Sequence, residues 1–285
     1  MAAGGTAARG EGGSGWERET RAAERFRFGE NWASFLRLLN DNRIQSAEDS
    51  LNEMLGTGRL DGLTFLDIGS GSGLFSLAAR RLGANVCSFD YDPQSVACTN
   101  ELRQRYFPDD SHWRVESGSV LDEAFVESLG RFDVVYSWGV LHHTGAMWEA
   151  LDHVCDLVAP GGRLFIAIYN DQGLASRYWA RVKRSYLSAP AFLKPLIFGA
   201  SLAALWGPAA LRKLLGGRRA GTTRSAPRGM DRLHDARDWI GGYPFEVARP
   251  EEILDFYRPR GFELIRLKTC AGRIGCNEYV FTRAG

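Results

Sequence analysis

Between residues 63 and 169 the chain alternates short apolar runs with longer amphipathic stretches. The apolar runs have the length of buried strands, and the longer stretches place apolar residues at the three- and four-residue spacings of helices packed on a core. This alternation is typical of βαβ units around a parallel sheet. The predicted strands are 63–68, 85–90, 112–116, 132–137 and 163–169, and the predicted helices are 74–82, 93–106, 121–129 and 147–158.

The segments on either side of this region have different patterns. Residues 1–15 are small and polar and lack the apolar stretch of a signal peptide, which predicts a disordered tail. Near the other end, a helix is expected at 250–257 and two strands at 262–269 and 278–283. The predicted organisation is a tail (1–15), an N-terminal helical cap (16–60), a cofactor-binding core (61–170), a basic and apolar insertion or lid (171–240) and the C-terminal part of the core sheet (241–285).

Charge is distributed unevenly along the 285 residues, although the net charge is only +1. Such a balance excludes nucleic-acid binding through overall charge. Residues 171–232, however, hold twelve Lys and Arg against two acids, and they surround an apolar stretch at 196–211 that is too short to span a bilayer. Two interpretations follow: packed helices with solvated basic residues, or a lid or peripheral membrane contact through residues 177–219.

The five cysteines form an odd set without a CxxC pair, and no His cluster has metal-ligand spacing. Neither a disulfide framework nor a bound metal is therefore expected, and a reducing cytoplasm is the predicted location, with attachment to a membrane surface as its variant.

A glycine-rich loop joins the first predicted strand to the next helix. Gly69, Gly71 and Gly73 let the backbone turn sharply and approach a ligand at the helix N-terminus, and Asp90 follows the second strand, where an acid meets ribose hydroxyls. Together they predict a nucleoside site. Leu74 stands where a dinucleotide fingerprint needs a small residue, which argues against a pyrophosphate.

At this point the chain resembles the class I S-adenosylmethionine-dependent methyltransferases. The resemblance covers roughly residues 63–169 and is carried by the motifs at 67–73, 90, 118–122, 132–143 and 160–162. It implies an α/β fold with a doubly wound, mostly parallel seven-stranded sheet whose last strand is antiparallel. Some ubiquinone-pathway O-methyltransferases are similar in having a late insertion that touches lipid.

The same resemblance implies S-adenosylmethionine as the cofactor. The methionine part is expected on residues 67–71, the ribose on Asp90 and the adenine beside Tyr91. An acid usually follows the glycine of the third motif, where this chain has Ser119, so the adenine contact would fall to the Val120 backbone. The expected cofactor residues are Asp67, Gly69, Ser70, Gly71, Asp90, Tyr91, Ser119, Val120, Ser137 and Trp138.

Candidate catalytic residues follow from methyl transfer to a hydroxyl, which a general base assists. His142 and His143 have the right unperturbed pKa, although a Leu-His-His run also has a structural or cofactor-side interpretation. Aromatic residues on the cap and after the fifth strand are candidates for the acceptor pocket. They are Phe28, Trp32, Tyr169, Trp239 and Tyr243.

The predicted function is methyl transfer from S-adenosylmethionine to a hydroxyl oxygen of a small-molecule or lipid-like metabolite. The alternatives are N-methylation of an amine on a small molecule or peptide, and a nucleoside-binding protein without catalysis. An RNA acceptor has only the basic insertion in its favour, since no aromatic stacking motif accompanies it. The sequence does not fix the oligomeric state.

Overall fold

Seven strands form one sheet in the computed structural model, which describes residues 28–214 and 232–285. The strands are β1 (Thr64–Ile68), β2 (Asn85–Asp90), β3 (Trp113–Ser117), β4 (Phe132–Trp138), β5 (Val158–Tyr169), β6 (Phe262–Lys268) and β7 (Cys276–Arg283). Their order is β3-β2-β1-β4-β5-β7-β6, and β7 runs antiparallel to both of its neighbours. This topology confirms the predicted fold class.

Helices occupy the connections between the strands. They are α1 (Phe28–Leu36), α2 (Asp41–Leu55), α3 (Leu74–Arg81), α4 (Pro93–Tyr106), α5 (Glu123–Leu129), α6 (Met147–Asp156), α7 (Leu174–Ser188), α8 (Lys194–Leu214), α9 (Arg232–Gly241) and α10 (Pro250–Tyr257), with 3-10 turns at Leu141–His143 and Arg258–Arg260. Pro93 begins α4, and the side chain of Asp92 accepts a hydrogen bond from Gln94 N at its start.

The core lies on both faces of the sheet because neighbouring residues of a strand point to opposite sides. In β1, Phe65 packs on the face covered by α2 and α3, whereas Leu66 and Ile68 pack on the face covered by α5, α6 and α10. Strands β1 to β5 are parallel, so their carboxyl ends lie together at one edge of the sheet. All the predicted site residues except those of the cap and the insertion lie along or just beyond this edge.

The fifth strand differs most from its predicted bounds, whereas the other strands agree to within two residues at each end. Residues 160–162 were expected to end a helix and turn into the fifth strand, yet β5 already begins at Val158. The pairing with β4 slips at this point, between Phe132 and Val134, and Gly161 has a φ of +74°. The Pro-Gly-Gly run therefore forms an irregular start of the strand, since Phe132 pairs with Val158 ahead of it.

Three predictions fall partly on residues that the structure does not describe. The predicted tail and the first part of the cap precede residue 28, and the basic residues Arg218, Arg219, Arg224 and Arg228 lie between the two described ranges. Within those ranges, no helix combines the length and the apolar character needed to cross a membrane.

Candidate active site

The glycine loop needs glycine at each of its three positions. Gly69, Gly71 and Gly73 have φ values of +72°, +55° and +78°, which L side chains rarely adopt. A Cβ on Gly69 would stand 2.5 Å from the Val140 side chain, and one on Gly71 would stand 2.9 Å from the indole of Trp32. The loop is thus closely packed between the turn after β4 and the first helix.

Asp90 is joined to this loop by a hydrogen bond. Its Oδ2 accepts from the backbone N–H of Gly71 at 3.0 Å, and its Oδ1 accepts from Asp92 N at 2.9 Å. Burial raises the pKa of the Asp90 carboxyl to about 6, against the lowering effect of these N–H donors. The glycine turn and the ribose-binding acid predicted from the sequence therefore belong to one cleft.

Asp67 ends a chain of buried polar groups. Its Oδ2 accepts from Ser76 Oγ at 2.5 Å, Ser76 Oγ accepts from Ser88 at 2.7 Å, and Ser88 accepts from the indole N–H of Trp113 at 2.9 Å. Burial raises the pKa of Asp67 to about 7, and the nearby Asp90 adds to this rise. The chain orients the Asp67 carboxyl at the end of β1.

The other predicted cofactor residues lie along the same edge with different exposure. Ser137 is completely buried and donates to the Ile68 carbonyl at 3.3 Å, whereas Trp138 is half-buried at the end of β4. Ser119 accepts from Leu121 N at 3.2 Å, so its side chain organises its own turn. Ser70 shares a hydrogen bond with Thr99 at 2.9 Å. Tyr91 is half-buried directly after Asp90.

These residues fit S-adenosylmethionine. The Asp90 carboxylate accepts from backbone N–H groups of Gly71, Tyr91 and Asp92, and its two oxygens together have four lone-pair sites, so one remains for a ribose hydroxyl. The left-handed glycines give the loop the sharp turn that brings its backbone to a ligand at the helix N-terminus. Asp90 would hold the ribose, the 69–71 loop the methionine part and Tyr91 one face of the adenine. Among the described residues, no group of His, Cys, Asp and Glu is arranged to hold a metal.

The two histidines lie in the 3-10 turn that follows β4, and Glu246 fixes this turn from a distant part of the chain. Glu246 N donates to the His142 carbonyl at 3.0 Å. Its carboxylate accepts from Gly145 N and Met147 N at 3.0 to 3.2 Å, at the N-terminus of α6. A carboxylate at that position also interacts favourably with the helix dipole. The 242–248 segment and the histidine turn therefore form one unit.

The structure separates the roles of the two histidines. His142 is completely buried, and burial holds its pKa well below 6.5. His143 is half-buried, and its Nδ1 lies 2.6 Å from the carbonyl oxygen of Pro244. Because a carbonyl only accepts, Nδ1 carries the proton and Nε2 of the neutral ring carries the lone pair.

Two of the five predicted acceptor residues, Tyr169 and Phe28, lie beside this pair. The rings of His142 and His143 lie 4.0 and 5.4 Å from that of Tyr169, and Phe28 lies 5.2 Å from His143. A third, Trp239, packs against Trp179 of α7, with the two ring centroids 4.6 Å apart.

The other two lie elsewhere. Trp32 covers Gly71 on the cofactor side, and the Tyr243 hydroxyl accepts from the exposed Arg184 at 2.5 and 3.0 Å.

Sequence reasoning missed Lys183, which it counted only among the basic residues of the insertion. The side chain is completely buried on the inner face of α7, beside Trp239 and Phe245. The available signal was its spacing from Ser176 and Trp179, which places all three on one face of the helix.

A methyltransferase domain family model matches residues 39–206 of this chain. The chain belongs to that methyltransferase family. The match runs from the second helix through the glycine loop, the histidine turn and much of the insertion, so it includes the cofactor cleft described above. Family membership together with the sheet topology confirms the predicted class I S-adenosylmethionine-dependent methyltransferase and its cofactor class.

Individual relatives differ in what they act on. The chain is 34% identical over 112 residues to a ubiquinone biosynthesis O-methyltransferase of Caulobacter vibrioides, covering 39% of this chain and 42% of that protein. It is 32% identical over 136 residues to a ribosomal protein L11 methyltransferase of Xanthomonas campestris, covering 45% and 40%. The methyltransferase therefore spans less than half the length of these curated relatives.

A solved structure with the same fold is that of magnesium protoporphyrin IX methyltransferase from Synechocystis, determined with bound SAH. Its TM-score is 0.50 at 15% identity, with 85% of this chain and 83% of that chain covered.

Proposed function

We propose that this protein transfers the methyl group of S-adenosylmethionine to a hydroxyl oxygen of a small-molecule or lipid-like acceptor. The observation that carries the proposal is the 2.6 Å contact between His143 Nδ1 and the Pro244 carbonyl. It fixes the tautomer in which Nε2 accepts a proton, as removal of a hydroxyl proton requires. The sulfonium of the bound cofactor supplies an already activated methyl group.

His142 has a different part in this proposal. Since burial keeps its ring neutral, it adds no positive charge beside the forming imidazolium of His143, and its ring supports that of His143 at 4.5 Å. Tyr169 and Phe28 enclose the pair with aromatic surface, which excludes water from the place where the methyl group moves. The neutral His142 is thus a positioning residue and His143 the base.

The surroundings favour an oxygen acceptor over an amine. Lys183 Nζ lies 5.6 Å from the Tyr169 ring and 4.3 Å from that of Trp239, so a positive charge stands beside the predicted acceptor residues below about pH 7. A protonated amine would meet repulsion there, whereas a neutral or negative oxygen would not. The name of the Caulobacter relative also supports an oxygen acceptor.

The experiment is to measure S-adenosylhomocysteine release with a panel of phenols, hydroxy acids and amines. Hydroxyl compounds are expected to give turnover, and His143→Gln is expected to lower kcat by about 10²–10⁴-fold with an unchanged affinity for S-adenosylhomocysteine. His112→Ala is the matched control, because His112 is an exposed histidine at the opposite end of the sheet.

Three outcomes would contradict the proposal. Full turnover by His143→Gln would show that His143 is not the general base. Turnover restricted to amines would favour the N-methyltransferase alternative. Binding of S-adenosylhomocysteine without turnover on any acceptor would instead favour a binding protein that uses the same fold.

A further inference from the structure

The packing of the fold does not explain why the ammonium group of Lys183 is buried. Its side chain has no exposed surface, and Nζ has no hydrogen-bond or ion-pair partner within the described part of the chain. Transferring an ammonium from water to such a place is unfavourable unless it is paired. Asp238 and Cys276 are close enough to attract the charge, yet burial dominates and lowers the pKa of Lys183 to about 7.

Three aromatic rings take the place of an ion-pair partner. Nζ lies 4.3 Å from the ring centroid of Trp239, 4.6 Å from Phe245 and 5.6 Å from Tyr169. The negative ring faces attract the cation, but this attraction is weaker than the hydration that the ammonium has lost. A buried cation that has aromatic faces but no salt bridge around it is stabilised by a ligand that brings a negative charge.

A cavity lies on the same three rings. Tyr169, Trp239 and Phe245 line it together with Asn170, Gln172 and Ser176, at the carboxyl end of β5 and the start of α7. We name this cavity the Lys183 pocket. On its other side the Tyr169 ring contacts both histidines, at 4.0 and 5.4 Å. One aromatic ring therefore connects the pocket with the proposed base.

We propose that the Lys183 pocket is the anion-binding part of the acceptor site and receives a carboxylate carried by the acceptor. This rests on the proposed function, and it adds the substrate class: a small hydroxy acid with an unsaturated or aromatic body. The four-carbon side chain of Lys183 brings Nζ from the ring faces to the carboxylate as the anion enters.

A carboxylate suits this place better than a phosphate. None of the described residues that line the pocket is charged, and Lys183 Nζ, which lies against three of its aromatic walls, supplies one positive charge for a single negative charge. The walls are flat aromatic surfaces that favour a planar group. At the rim, Asn170 and Gln172 offer neutral amides, and both already hold bonds that fix them, to Asn277 and Gly272.

The test uses three probes of one shape and different charge: benzoate, benzamide and benzylamine. Ligand-observed NMR titrations at about pH 6, where Lys183 is protonated, give the three dissociation constants. The wild type is expected to bind benzoate about ten-fold or more tightly than benzamide, and benzylamine weakest. In Lys183→Met the difference between benzoate and benzamide is expected to disappear. Lys194→Met, on the neighbouring helix α8, is the matched control and is expected to keep it.

Equal binding of benzoate and benzamide by the wild type would overturn the proposal, and so would an undiminished benzoate preference in Lys183→Met. Calorimetric titration with S-adenosylhomocysteine is run on the same samples. Normal binding of that nucleoside in Lys183→Met shows that the variant is folded. Absence of nucleoside binding in the wild type would contradict the proposed function, independently of the benzoate result.

Discussion

At the scale of single residues, the cleft depends on backbone conformations that only glycine adopts without strain. Gly71 combines a φ of +55° with two contacts: its N–H binds Asp90, and its α-carbon faces the indole of Trp32. Because both contacts are made by groups at the predicted cofactor cleft, Gly71 connects the nucleoside side with the helical cap. A substitution of Gly71 adds both backbone strain and a clash at the cleft, and comparison with a glycine that has the strain alone separates these two effects.

We predict that Gly71→Ala weakens S-adenosylhomocysteine binding by about ten-fold, since the added Cβ would displace Trp32 and disturb the Asp90 bond. Gly261→Ala is the control, because Gly261 is left-handed, with a φ of +80° and a ψ of 25°, and has open space around it. Both variants should lose about 1 kcal/mol of stability from the left-handed conformation. Calorimetric titration and denaturation measure the two effects. Wild-type affinity in Gly71→Ala would contradict the prediction.

At the scale of elements, α7 has two different faces. Ser176, Trp179 and Lys183 point inward, whereas Leu174 and Tyr178 are 80% and 57% exposed. Two more large apolar residues are exposed nearby in the chain: Phe192, which precedes α8, at 74%, and Leu196 in its first turn, at 69%. Arg177 and Arg181 border this surface, so an apolar patch and positive charge occur together.

We predict that this face binds anionic membranes from the outside, as part of a lid over the acceptor site. Co-sedimentation with vesicles of phosphatidylglycerol and phosphatidylcholine should be strong at low salt and lost at high salt. The double variant Leu174→Ser with Phe192→Ser should bind about ten-fold more weakly. Ile265→Ser, an exposed apolar residue of β6, should bind as the wild type does. Equal sedimentation with and without vesicles at both salt concentrations would contradict the prediction. It would favour the interpretation of the insertion as packed helices with solvated basic residues.

At the scale of the whole molecule, four buried ionisable groups belong to the proposed cofactor and acceptor sites. Burial raises the pKa of Asp67 and Asp90 and lowers the pKa of Lys183 and His142. In each case burial disfavours the charged form, so the free energy of unfolding depends on pH through the same region that is proposed to bind ligands.

For Lys183 the sign follows from a folded pKa of about 7 against an ordinary value of 10.5. Between these values the unfolded chain binds more protons, so stability should rise with pH, by up to roughly 5 kcal/mol. Below about pH 7 this contribution is absent.

Urea denaturation of wild type and Lys183→Met between pH 6 and 9 measures this difference. The stability advantage of Lys183→Met should shrink as the pH rises. A pH-independent difference between the two proteins would contradict the assigned burial of the charge.

The sequence by itself determined the fold class and the family, because these depend on local chemistry. Strand and helix alternation, the glycines at 69, 71 and 73 and the acid at the end of β2 each act over a few residues. Tertiary structure decided the rest. His143 receives its tautomer from a carbonyl 101 residues away, and Lys183 becomes a buried cation only because α7 packs against Trp239 and Phe245. The sequence around His143 or Lys183 does not specify these contacts, because burial and hydrogen-bond partners depend on which distant elements the fold brings together.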